Sequence, residues 1–171
     1  MGLVKYRRYF WMVNHAYKNT VMLGSLTDSQ MEDLLKQQVT GRIACYADGE
    51  TYIVPVNYVY RAPYIYSHTR KGKKIEMMRR NPKVCFGVDN IQNVFRWKSV
   101  LAWGEFEEIS DIQEKERVMQ ALIHRIMPFA NNPSDHPSHG IAERDSDIGA
   151  SVEIVVYKIR IDRMTGRFEQ N

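Results

Sequence analysis

Polar and apolar residues along this chain change period several times, and the changes mark its elements. Thr27-Asp28-Ser29-Gln30 has the form of a capping box, and Met31, Leu34 and Leu35 follow at the spacing of one helix face, which predicts a helix over 28–38. From Arg42 the period shortens to two. Segments 42–47 and 51–60 flank Asp48-Gly49, a dipeptide suited to the positive φ angles of a tight hairpin turn, so they read as paired strands. In the second strand Tyr52, Val54, Val56, Tyr58 and Tyr60 share one face, and Ile53, Pro55, Asn57 and Val59 the other. Pro55 cannot donate to a ladder. It implies either a blunted edge or a broken pairing that frees neighbouring backbone for a ligand.

Arg61-Ala62-Pro63 reads as a turn and 64–67 as a third strand, followed by a basic loop and a short helix, Lys73–Arg80, stopped by Asn81-Pro82. Val84, Phe86 and Val88 alternate in a fourth strand. Residues 98–109 form a fifth, with a bulge or close approach expected at Gly104. Ser110-x-x-Gln113 is expected to cap a helix over 111–127 whose stripe is Met119, Leu122 and Ile126, ended by Pro128. Residues 129–149 have loop composition and no period, and a loop this long is a candidate lid. A sixth strand is expected over 152–162, with 164–167 as a closing turn. Six strands with short hairpins and few helices predict a small antiparallel β-barrel with peripheral α-helices. The aromatic-rich segment 1–26 reads as an N-terminal arm, and 27–171 as one domain.

Composition narrows the classes. The 171 residues suit one globular domain, and the net charge of +4 is interleaved rather than striped, apart from clusters at 5–8 and 70–80. That argues against a nucleic-acid surface. Cys45 and Cys85 lie in apolar strand-like runs and read as buried reduced thiols. No run approaches the ~20 apolar residues of a membrane span, and no leader pattern opens the chain, so a cytoplasmic location is expected.

The segment richest in chemistry is His68-Thr69-Arg70-Lys71-Gly72-Lys73-Lys74, four cations and a glycine between a strand and a helix. A helix start offers open N–H groups and positive dipole, so this corner reads either as a phosphate site or as a solvated basic turn. His124, His136 and His139 are the histidines available to a metal, but their spacing lacks a cysteine or carboxylate partner, and no metal site is expected. No nucleophile elbow, dinucleotide fingerprint or P-loop is present.

Three stretches taken in order, GRIACYADGETYIVPVNYVY, IYSHTRKGKKIEMMRRNPKVCFGVD and WKSVLAWGEFEEI, resemble the pyridoxamine 5′-phosphate oxidase-like split β-barrel proteins that bind flavin mononucleotide (FMN), and within them the nitroimidazole-resistance-related branch. The resemblance spans roughly 27–128, with a weaker echo in VYKIRIDRMTGR. It implies a homodimer with a flavin in each of two interface clefts. Val54, Pro55, Val56, Asn57 and Tyr58 would then run beneath the ring, largely through backbone, while Ser67, His68 and Thr69 would meet the ribityl chain and phosphate. Lys73 or Lys74 would bind the phosphate; Ser99 and Val100 would complete the pocket, with Trp97 as an aromatic wall.

His68 has two readings, a hydrogen-bonding partner of the cofactor or a proton donor to a reduced substrate. The branch's H-x-A pattern reads His68-Thr69-Arg70 here, and the R-x-R-L-x-P segment of true pyridoxamine-phosphate oxidases is replaced by GRFEQN. Vitamin B6 oxidation is therefore not expected. The leading expectation is an FMN-dependent oxidoreductase passing electrons to a small aromatic or nitro-type acceptor. The alternative is a non-catalytic flavin- or haem-binding module, with His124, His136 or His139 as an axial ligand.

Overall fold

The structure is a computed structural model that describes residues 22–129 and 154–170. Its eight strands, β1 (Met22–Ser25), β2 (Thr40–Ala47), β3 (Glu50–Asn57), β4 (Val59–Arg61), β5 (Tyr64–Arg70), β6 (Lys83–Asn93), β7 (Arg96–Glu108) and β8 (Ile154–Gln170), form one sheet. All pairings are antiparallel, in the order β3-β2-β6-β7-β8-β5-β4, with β1 on the far half of β8. Three α-helices, α1 (Asp28–Gln37), α2 (Lys73–Arg80) and α3 (Ile112–Ile126), lie around it.

The sheet is not closed by a ladder. Its two ends, β3 and β4, are consecutive segments of one strand that pairs first with β2 and then with β5. The single 51–60 strand expected from the pattern is thus bent at Tyr58. Three hydrogen bonds hold the bend. Tyr58 donates its amide to Val39 O (3.0 Å) and its hydroxyl to Leu35 O (2.9 Å), and Ser67 on β5 donates its hydroxyl to Asn57 O (2.8 Å). Between β3 and the far end of β5 the sheet stays split.

Alternation places Ile43, Cys45, Val56, Tyr58, Phe86, Val88, Val100, Ala102, Tyr157 and Ile159 in one core. Thr27 and Gln30 form the capping box of α1, and Met31, Leu34 and Leu35 pack inward. From α2, Ile75, Met77 and Met78 do the same. The opposite face of β4, β5 and β8 is covered by α3, where Val118 and Leu122 meet Val59, Ile109 and Val156; the expected stripe partners Met119 and Ile126 are only partly buried. No such cover lies over β3, β2 and β7 among the described residues, and Tyr46 (52%), Ile53 (60%) and Leu101 (41%) are exposed there.

Asp48 and Gly49 both have positive φ, 52° and 82°, as a two-residue hairpin turn requires. Gly104 marks a β7–β8 register shift that leaves Asp162 as an extra residue, and a Cβ there would lie 2.1 Å from Arg160 O. Cys45 and Cys85 are free; because Cys85 pairs with Ala44, it faces the opposite side of the sheet from Cys45. Cys45 is buried and Cys85 half-buried.

Four expectations are corrected. The third strand does not end at Ser67 but runs to Arg70, paired with β8 through His68–Val156, Thr69–Val155 and Arg70–Ile154. The basic loop shrinks to Lys71 and Gly72. Residues 164–167 are not a turn but lie within β8, held between β7 and β1. The cap of α3 is Asp111, which accepts from Glu114 N, rather than Ser110. The 130–149 part of the candidate lid, and the arm before Met22, lie outside the described residues. No helix among the described residues is long and apolar enough to cross a membrane.

Removing one partner of a buried hydrogen bond costs about 1–3 kcal/mol. Tyr58→Phe, which leaves Leu35 O without its donor, is expected to lower unfolding free energy by that amount in urea titrations. Gly104→Ala is expected to cost a similar amount, about 1–3 kcal/mol, because the added methyl must push two ladder strands apart.

Candidate active site

Where the sheet splits, a groove of about 280 Å³ opens, lined by Thr40, Pro55, Val56, Asn57, His68, Thr69 and Lys74. Each wall follows from the bend. The end of β3 supplies Pro55, Val56 and Asn57, and as an edge strand it tolerates a proline. Thr40 Oγ1 donates to Asn57 Oδ1 (2.9 Å), which orients the amide so that its N–H₂ is the donor end. Across the split, β5 contributes His68 and Thr69.

Lys74 is the groove's charge. It is half-buried, its ammonium lies 5.9 Å from the Tyr157 ring centroid, and it makes no ion pair among the described residues. Burial holds its pKa below the ordinary lysine value, and interaction with Cys45 opposes that shift. A desolvated cation without a carboxylate is an expensive feature for a fold to retain, and an anion is what would relieve it. Beside it, Gly72 starts α2 without a side-chain cap, so the first-turn N–H groups are open to the same anion.

Lys73, its neighbour in sequence, points elsewhere. Its ammonium pairs with Glu50 Oε1 (2.6 Å) and lies 5.2 Å from the Tyr52 ring centroid. The two lysines are equivalent in the sequence; in the fold only Lys74 reaches the groove. Ser67 is buried and spends its proton on Asn57 O, so its part is to hold the bend. Tyr58 and Val54 belong to the core side of β3, Tyr58 fully buried and Val54 packed partly against the core. Burial pushes the Tyr58 hydroxyl pKa up, keeping it a neutral donor.

His68 lines the groove, yet both of its ring nitrogens are shielded from solvent. Its register with Val156 puts it on the face that α3 covers. Two residues escaped the sequence reading. Thr40 could have been found only from its pairing with Asn57. Tyr157, opposite Ser67 on β8, is fully buried; burial raises its hydroxyl pKa to about 12, and the neighbouring Ser67 side chain opposes that shift.

The W-K-S-V segment does not join this groove within one chain. Val100 is fully buried in the core, whereas Ser99 and Trp97 alternate to the outer face of β7 with Leu101. Trp97 lines a second groove of about 400 Å³, at the β6–β7 hairpin, enclosed by Gln37, Asn90, Gln92, residues 96–98 and residues 168–170. Its indole N–H donates to Glu169 Oε2 (2.9 Å). His124 is exposed on α3 and lines neither groove, while His136 and His139 lie outside the described residues.

Comparisons with known proteins agree with this architecture. An uncharacterized protein of Rhizobium meliloti (strain 1021) is 30% identical over 128 residues, 74% of this chain and 82% of that protein. Among solved structures, an FAD-binding protein from Mesorhizobium loti superposes with a TM-score of 0.68 at 26% identity, covering 89% of this chain and 100% of that one. A Bacteroides thetaiotaomicron structure described as a proposed 5-nitroimidazole antibiotic resistance protein gives a TM-score of 0.66 at 21% identity, over 88% of this chain and 90% of that one, a likeness of fold. The family described as pyridoxamine 5′-phosphate oxidase matches residues 27–168, from the cap of α1 almost to the end of β8. This chain belongs to that family.

Proposed function

We propose that the groove at the split holds FMN and that the protein is a homodimeric, FMN-dependent oxidoreductase acting on a small aromatic or nitro-type acceptor. The observation that carries this reading is Lys74, a half-buried ammonium with no ion pair among the described residues, set beside an uncapped helix start in a groove walled by β3 backbone. The description of the Mesorhizobium loti relative as FAD-binding supports a flavin. The residues present fit such a group. Lys74 and the first amides of α2 would hold the phosphate, Thr69 and His68 would meet the ribityl chain, and Pro55, Val56 and Asn57 would lie along the ring.

When bound, a flavin supplies hydride and single-electron transfer, and the chain supplies position and exclusion of water. Thr40 fixes the Asn57 amide as a donor toward the groove. The shielded nitrogens of His68 favour a positioning part over proton delivery to a solvent-borne substrate. The seat for a second copy is the uncovered face of β3, β2, β6 and β7. Ile53, Ala44, Cys85 and Trp103 lie there in one register row, with Leu101 and Pro55 in the next. That face is continuous with Pro55 and Asn57 of the groove, so a partner seated on it would bring its own Ser99 and Trp97 to the flavin.

Three outcomes are expected. Lys74→Ala should weaken FMN binding at least tenfold by fluorescence quenching, whereas Lys73→Ala, which loses only an exposed pair with Glu50, should stay within about twofold. Equal losses in both variants would remove the assignment. Because the folded pKa of Lys74 lies below the usual 10.5, its charged form is disfavoured by folding: the strain is present below the folded pKa and is relieved as pH rises through it. An FMN phosphate reverses that preference, so affinity should fall as pH rises through a midpoint below 10.5, and Lys74→Ala should lose the dependence. Finally, Leu101→Arg should shift the sedimenting species from dimer to monomer and weaken flavin binding with it; a dimer unaffected by the change would place the interface elsewhere.

A further inference from the structure

Strand register gathers three segments of the chain at one end of the sheet. Met22 of β1 pairs with Gln170 of β8, and Gln170 pairs with Arg96 of β7, so these positions share one row. The β6–β7 hairpin runs past that row. Its turn carries Val94 and Phe95, 75% and 54% exposed, and Ile91, 70% exposed, stands just before it. Polar residues would suit such a turn better, and apolar side chains at an exposed tip mark a contact site.

Charge at this end has mostly one sign. Arg96 and Lys98 follow the tip, and the one carboxylate in the last three rows of the described residues, Glu169, already accepts from the Trp97 indole. The 21 residues that enter the sheet at Met22 contribute Lys5, Arg7, Arg8 and Lys18 with no carboxylate, together with the aromatic residues Tyr6, Tyr9, Phe10, Trp11 and Tyr17. Cations of that segment and cations of the hairpin repel each other, which argues against the segment as the cover for the tip. The pattern favours a third, anionic body that both can meet.

That body must also admit apolar side chains. A polynucleotide would satisfy the cations but leave Val94 and Ile91 in water. A bilayer with anionic headgroups satisfies both: cations are drawn to the headgroups, while aliphatic and aromatic side chains enter the boundary where Trp and Tyr concentrate. We propose that this end of the sheet, the Val94–Phe95 hairpin tip together with the basic, aromatic segment 1–21, docks the protein on an anionic lipid surface. The approach is end-on, so residues on both faces of the sheet reach one plane. Neither the split groove nor the rows of Ile53 and Leu101 are used.

The test is co-sedimentation of the full chain with vesicles of phosphatidylglycerol and, separately, of phosphatidylcholine. Binding to phosphatidylglycerol alone is expected, weakening as salt is raised. Val94→Asn combined with Phe95→Asn should weaken it tenfold or more. So should Lys5→Gln, Arg7→Gln and Arg8→Gln together, since each cation near such a surface contributes about fivefold. Neither variant should lower the melting temperature. A lower melting temperature in the tip variant would show the tip already covered by its own chain or a second copy, and would overturn the inference. Equal binding to both vesicle types, no sedimentation with either, binding indifferent to either variant, or full release by a DNA oligonucleotide at matched phosphate concentration would do the same.

Discussion

One strand that must serve two neighbours sets the shape of this protein. Segment 50–61 pairs with β2 over its first eight residues and with β5 over its last three, and it cannot do both at one position. The chain turns at Tyr58, whose amide and hydroxyl both go to the end of α1 and the residues after it. Those hydrogen bonds are buried, so each contributes only about 1 kcal/mol net, yet leaving one acceptor orphaned costs more than the bond gains. The bend is therefore held by the penalty of undoing it. Arg125 reinforces the same point from α3 by donating to the Lys36 and Gln38 carbonyls, which ties the second helix–sheet cluster to the first.

The split that follows from the bend gives the site its properties. A closed ladder would have consumed the β3 backbone between Val54 and Asn57 and packed β5 against it. Instead the gap is spanned by the hydrogen bond from Ser67 to Asn57 O, and the space beyond it becomes a groove with edge backbone on one wall and a helix start at its end. Burial there is deep enough to lower the Lys74 pKa but not to exclude a ligand. The same geometry leaves Ile53, Tyr46 and Leu101 exposed on the outer face of β3, β2 and β7, with no helix over them among the described residues and the Arg42–Asp89 ion pair between them. A site that is half-built on such a face is what a symmetric pair of chains would complete, since one contact surface then serves both copies.

Much of this was legible in the residues. Period two marked β2, β3, β6 and β7; the capping box marked α1; and Asp48-Gly49 marked the hairpin, because each rests on local chemistry that tertiary contacts did not oppose. What escaped depended on partners distant in sequence. His68, Thr69 and Arg70 look like a polar loop, yet the first residues of β8 draw them into the sheet, His68 against Val156, Thr69 against Val155 and Arg70 against Ile154. Thr165-Gly166 looks like a turn, but β7 on one side and the helix-side residues Leu26 and Met31 on the other hold it straight; a Cβ on Gly166 would lie 2.7 Å from both. Resemblance placed the groove residues in order, but it could not say that Val100 would face the core, because a one-residue phase decides the face of a strand.

The two adjacent lysines show the same limit at a helix. Successive residues on a helix diverge by about 100°, so Lys73 and Lys74 cannot face one target. Either could have been the anion ligand; what separates them is the position of β3. Its first residue, Glu50, lies under Lys73 and neutralises it, while its last residues border the groove toward which Lys74 turns. An exposed pair such as Lys73–Glu50 contributes little, a few tenths of a kcal/mol at this kind of surface site, but it removes Lys73 from competition for the ligand. Lys74, 5.9 Å from the Tyr157 ring centroid and with no ion pair among the described residues, is the one of the two that would be open to an incoming phosphate. The anion capture proposed for this corner would thus rest on a difference between neighbours that the backbone rotation creates and the hairpin turn at Asp48-Gly49 positions.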